Sequence, residues 1–125
     1  MGRNAHQEGP WVRWYVEEME KLVCEPWMTL TAWRVFVCLL SGLRVDNSTT
    51  VTQRMIHDLT GLAQPNIAQA LGVLQREGIL DQARRGGRYY LSVRHCYRGD
   101  RAQLPYVRQQ ERSRRAKARK EQAHA

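Results

Sequence analysis

Three arginines, Arg84, Arg85 and Arg88, fall within five residues around the pair Gly86-Gly87. Guanidinium groups on a short hairpin tip can lie along or inside the minor groove of a duplex; otherwise such a tip is simply solvated. Other chemistry-bearing residues form poorer sets. His57 and Asp58 are neighbours on an expected helix, so they point in different directions. No nucleophile or second carboxylate is placed to complete a catalytic group. The expectation is therefore that the chain is not an enzyme. His95-Cys96 could ligate a metal, but a tetrahedral site needs more ligands than this spacing supplies. Neither a metal nor a cofactor is expected. Cys96 reads as a buried structural thiol before a redox sensor.

The chain has 125 residues and a formal net charge of +8. That length suits one domain with tails. Residues 1–100 carry 12 Lys/Arg against 10 Asp/Glu, and residues 101–125 carry 8 against 2. The end of the chain thus supplies most of the basicity. Within the body, Arg76, Arg84, Arg85, Arg88, Arg94 and Arg98 gather around the hairpin. Acidic residues gather early, at Glu17, Glu18, Glu20 and Glu25. This asymmetry predicts a polyanion-facing side and an opposite side. The three cysteines, Cys24, Cys38 and Cys96, form no paired zinc pattern. They suit a reducing compartment. No secretory apolar region begins the chain, and no apolar run approaches the roughly 20 residues that span a bilayer. The expected location is the cytoplasm, with no membrane partner.

Elements must place these residues. Residues 1–9 are polar and are expected to form a flexible N-terminus. Pro10 can open a helix over 11–25, with Trp11, Tyr15, Met19, Leu22 and Val23 forming its apolar stripe. Pro26 ends it. Trp11, Trp14, Tyr15, Trp27 and Trp33 make this region aromatic, which suits either core packing or a dimer interface. Thr29 or Thr31 can cap a central helix carrying Trp33, Phe36, Val37, Leu40 and Leu43, widened by Val35 and Leu39. Asp46-Asn47-Ser48 is a turn cluster, and Thr49-Thr50-Val51 can be a short strand. Thr52 caps a helix from Gln53 to Thr60, with Met55, Ile56 and Leu59 inward. Gly61 suits the left-handed position that ends it, and Leu62 plugs the turn. A second helix, Gln64 to Glu77, puts Ile67, Ala70, Leu71 and Leu74 on its core face and ends at Gly78. Strands at Ile79–Ala83 and Arg88–Val93 flank the Arg-Arg-Gly-Gly tip. After the short break at Leu104-Pro105, Tyr106–Ala125 has almost no apolar stripe, which predicts a lone exposed helix or a disordered arm.

Helix, turn, helix and basic hairpin follow in that order. At Ile56, Leu59, Gly61-Leu62, Ile67, Leu74 and Gly78-Ile79 the chain resembles a winged helix-turn-helix DNA-binding domain of the MarR-like superfamily. The continuation Gly87-Arg88-Tyr89-Tyr90-Leu91-Ser92-Val93, then Tyr97-Arg98-Gly99-Asp100, resembles winged-helix replication proteins of bacterial plasmids. Together these cover roughly residues 29–100. The implied fold is mainly α with a small β-sheet: a winged helix over 10–100, including the extra N-terminal helix, followed by a basic tail at 101–125.

The resemblance places groove contacts at Gln64, Pro65, Asn66, Ala68, Gln69, Gly72 and Val73. Asn and Gln can bond adenine N6 and N7 together, and an outward Val can meet a thymine methyl. Gln64, Asn66 and Gln69 are the leading base readers; the alternative is a solvated polar face. Two residues depart from the pattern. Ala63 stands where a Ser or Thr cap is usual, and Pro65 partly compensates by prearranging φ. Gly72 sits mid-helix, either for close approach to a strand or helix or as a tolerated surface glycine. The implied function is sequence-specific binding of double-stranded DNA by a homodimeric transcriptional repressor. The alternatives are a plasmid replication or maintenance factor at origin repeats, and a winged-helix protein-interaction module. The tail can add phosphate contacts or take a protein partner.

Overall fold

The computed structural model describes residues 12–82 and 87–123. Within them the chain is mainly α with a small antiparallel sheet. Strand β1 (Arg13–Trp14) precedes helices α1 (Val16–Val23) and α2 (Leu30–Ser41). Strand β2 (Ser48–Thr49) leads into α3 (Gln53–Thr60) and α4 (Gln64–Arg76). Strands β3 (Leu80–Gln82), β4 (Tyr89–Leu91) and β5 (Cys96–Tyr97) follow, and α5 (Leu104–Ala123) closes the order after a 3-10 turn at Arg101–Gln103.

Local chemistry sets these boundaries. Thr29 Oγ1 accepts from Ala32 N and Thr52 Oγ1 accepts from Met55 N, so each hydroxyl satisfies a free donor at the start of a helix. Thr52 is thus the cap of α3, as expected, and Thr29 rather than Thr31 caps α2. Gly61 ends α3 at φ 73°, and Gly78 follows α4 at φ 78°. A side chain at either φ would crowd its own backbone.

Helix α2 is central. Val35, Phe36 and Leu39 are fully buried, and Ile67, Leu71 and Leu74 of α4 pack into the same core. Ile79, Leu80 and Leu91 bring the sheet onto it. Trp27 and Trp33 pack against this core, with Trp33 edge-on to Phe36 at 6.0 Å between centroids. Trp27 and Trp33 are therefore internal packing, whereas Trp14 is exposed. The sheet order is β2-β4-β3, with Ser48 opposite Tyr90 and Leu80 opposite Leu91. The expected strand at 49–51 is present as the shorter pair Ser48–Thr49.

Three expectations change. The helix expected over 11–25 is shorter, because Arg13 and Trp14 pair with Tyr97 and Cys96 of β5. Tyr15 N then donates to His95 O, so the backbone is held by a partner strand until Val16. Pro10 and Trp11 lie outside the described residues. On α3 only Ile56 is buried; Met55 and Leu59 are 43% and 68% exposed. This helix of eight residues packs on α4 and α2 through a single inward row. Val37 of α2, expected on the inward stripe, also faces outward.

The third change is α5. It is a helix, one of the two expected alternatives, and largely exposed, but it is not a lone one: its inner face is docked against the sheet. Val107 is buried beside Val93 and Tyr97, and Tyr15 and Leu104 pack against them. Glu111 accepts from Val93 N at 3.0 Å and from Ser92 Oγ at 3.2 Å. Arg115 donates to Asp81 Oδ2 at 3.0 Å and to Gly78 O at 2.7 Å. Arg114 lies over the Tyr90 ring at 3.8 Å from its centroid. The docking face is largely polar, so hydrophobic periodicity does not show it. Pro105 falls in the first turn of this helix, where its missing N–H costs nothing.

One buried side chain joins the two sheets. Asn47 sits at φ 66° with no exposed surface. Its Nδ2 donates to Leu91 O at 3.1 Å and to Cys96 O at 2.9 Å. Asn tolerates the left-handed conformation better than most side chains. Asn47→Ala is expected to strand both carbonyls and lower stability by about 2–4 kcal/mol. Urea unfolding measures this, and a loss below about 0.5 kcal/mol would contradict the role.

Candidate nucleic-acid interface

Helix α4 is packed by one face only. Ile67, Ala70, Leu71 and Leu74 are buried. Gln64, Pro65, Asn66, Ala68, Gln69 and Gly72 are exposed, and Val73 is half-buried. Side chains three and four apart share a helix face, so Pro65, Ala68, Gln69 and Gly72 make one outward row. Asn66, Gln69 and Val73 form its neighbouring edge. Along that edge a groove of about 310 Å³ separates them from Trp27, Thr29 and Thr31. All seven residues expected on the reading side thus lie on one helix; six are exposed and Val73 is partly covered.

The start of α4 lacks a side-chain cap at Ala63, as its residue type implies, and carries Pro65 in the first turn. A Cβ added at Gly72 would meet nothing within 4 Å. No packing contact within the chain therefore requires glycine there. Gln64 is not free: its Nε2 donates to Gln53 Oε1, and Gln53 Nε2 donates to Tyr89 Oη at 3.4 Å. Gln53 carried no signal in the sequence beyond following a cap residue.

Strand β3 packs against this helix. Arg84 and Arg85 lie outside the described residues, so only Arg88 of the three is placed. It is exposed at a cleft of about 640 Å³, which Thr50, Thr52, Gln53, Gln82 and Tyr89 also line. No carboxylate lines that cleft among the described residues.

The remaining basic residues divide. Arg76 and Arg94 are exposed, but Arg98 turns inward and donates to Leu43 O at 2.5 Å. Arg98 therefore does not join the basic surface expected around the hairpin. Arg114 and Arg115 hold α5 to the sheet, whereas Arg108, Arg112 and Arg119 stay exposed. A signal for this split was present: Val107, Glu111, Arg114, Arg115 and Ala118 recur at helical spacing. All are buried or half-buried, although the row mixes charge with apolar groups.

The weaker candidates have structural surroundings. His57 Nδ1 donates to Leu62 O at 2.7 Å across the turn, and Asp58 is exposed. No group of three His, Cys, Asp or Glu side chains is arranged to hold a metal among the described residues. Burial pushes the Cys96 thiol up to about 12, with Glu111 adding to the effect. Little thiolate is then present at neutral pH, and reactivity follows the thiolate. Within the described residues, no helix is long and apolar enough to cross a membrane. No family model matches the chain, and no curated protein or solved structure does.

His95 generates a pH prediction. It is buried, and desolvation, then the Arg94 charge, push its pKa down from 6.5 to about 4. The fold favours the neutral ring, so this contribution is complete above the unfolded value and is lost as pH falls from 6.5 towards 4. His95→Gln should flatten the stability profile across that window by about 1–3 kcal/mol. Thermal melts from pH 7 to pH 5 read this above the range where carboxylates titrate. An unchanged slope would show that His95 is not held neutral.

Proposed function

We propose that this chain is a sequence-specific double-stranded DNA-binding protein of winged-helix type, with α4 as the helix that enters the major groove. The observation that carries the reading is the outward face of α4. It is uncovered, uncharged from Gln64 to Gln75, and rich in amides that suit base edges. Affinity without sequence preference then comes from arginines: Arg88, exposed at the neighbouring cleft, Arg84 and Arg85 close to it in sequence, and the exposed arginines of α5. In this reading the chain is not an enzyme and works in the cytoplasm. A homodimer places two copies of α4 about 34 Å apart on an inverted repeat. A bound dimer occludes polymerase, which makes repression the simplest outcome.

The Tyr97-Arg98-Gly99-Asp100 run does not favour a replication role over this one. Tyr97 is buried and its hydroxyl donates to Asp100 O at 2.8 Å. A Cβ at Gly99 would collide with the Tyr97 ring and with Val45 O. Together with the inward turn of Arg98, packing accounts for the run.

Two variants test the division of labour. Arg85→Ala should weaken binding to every duplex and reduce the slope of log K against log salt by about 0.9. Gln69→Ala should cost about 1–3 kcal/mol on the preferred site and relax one base position, with little change on other DNA. Fluorescence anisotropy across a salt series measures both. Equal losses on all sequences for both variants would refute the assignment, and no binding to any duplex at low salt would favour a protein-interaction module.

A further inference from the structure

Three elements begin with side chains that form one polar relay. Gln64 opens α4, Gln53 opens α3 and Tyr89 opens β4. Gln64 Nε2 donates to Gln53 Oε1, and Gln53 Nε2 donates to Tyr89 Oη. Gln53 and Tyr89 are half-buried, and Gln64 is exposed. Gln53 also lines the cleft between the hairpin and α3, so it sits where both parts of the interface meet.

From this geometry we infer that Gln53 is a positioning residue that sets which purine Gln64 reads. The inference rests on the DNA-binding reading above. A primary amide carries one oxygen and two N–H groups. With one N–H donated to Gln53, Gln64 keeps its oxygen and its other N–H for the groove. An acceptor beside a donor complements adenine, which offers N6–H and N7. Turning the amide over would place its oxygen on Gln53 and leave two N–H groups outward. Two donors complement guanine, whose major-groove edge offers O6 and N7 as acceptors. With its own oxygen presented to Gln64, Gln53 offers no donor for that second orientation, and its N–H is taken up by Tyr89 Oη at 3.4 Å.

The hydrogen-bonding capacity of residue 53 therefore decides the base preference. A carboxylate there can only accept, and an ammonium can only donate. The readout is the adenine-to-guanine affinity ratio at the operator position that Gln64→Ala relaxes. A ratio cancels general changes in affinity or folding. Gln53→Glu should retain the adenine preference. Gln53→Leu should lower the ratio about tenfold, and Gln53→Lys should move it further towards guanine. Competition binding on duplexes differing at that one base pair measures all four proteins.

A ratio unchanged across Glu, Leu and Lys at residue 53 would overturn the relay while leaving DNA binding intact. The absence of any position that responds to Gln64→Ala would overturn it equally. A wild-type protein that prefers no sequence at all would instead remove the DNA-binding reading, and the relay with it.

Discussion

The amide of Asn47 is the constraint on which the placement of the sheets depends. It is buried, left-handed in φ, and bonded to the carbonyls of Leu91 and Cys96. Leu91 ends β4 and Cys96 begins β5, so one side chain ties the three-stranded sheet to the two-stranded one. An unmet carbonyl in that position would cost about 1–3 kcal/mol, which makes the pair of bonds hard to replace. Strand β4 continues from this anchor to Tyr89 and the hairpin. Strand β5 continues to Tyr97, against which α5 packs. Strand β4 and α5 thus take their positions from the same buried turn.

Helix α5 adds a second tie, of different character. Arg115 reaches both Gly78, just past the end of α4, and Asp81 in β3. Both groups of the Arg115–Asp81 pair are partly shielded, at 29% and 20% side-chain exposure. Charge-assisted bonds in such settings are stronger than those between free surface groups. The end of α4 is held by this contact and its flank by α2. Its opening residue is held by Gln53. A helix fixed along its length and open on one face can present amides in a constant register, which base discrimination requires.

Much of this was legible beforehand where one residue type has one local use. Thr52, Gly61 and Gly78 mark boundaries by capping and by positive φ, and α3 and α4 fall where these signals put them. The apolar rows of α2 and α4 repeat at helical spacing and are buried. Illegible parts depend on partners distant in sequence. Nothing near Arg13-Trp14 shows that β5 will pair with it. The α5 docking uses Glu111, Arg114 and Arg115, residue types that otherwise mark a solvated face. Met55 and Leu59 follow the helical period, yet among the described residues no element covers that side of α3. At the candidate interface, the exposed row on α4 was readable, whereas the Gln53 link required the turn between helices to bring two amides together.

The central proposal is that α4 reads base sequence while arginines outside it supply general affinity. Selection of bound duplexes from a random pool tests it most directly, because preference, symmetry and spacing emerge together. The account predicts convergence on one motif with adenine-containing half-sites, repeated in inverted orientation about one helical turn apart. A bound pool that stays random through successive rounds, while the protein still retains DNA at low salt, would contradict it.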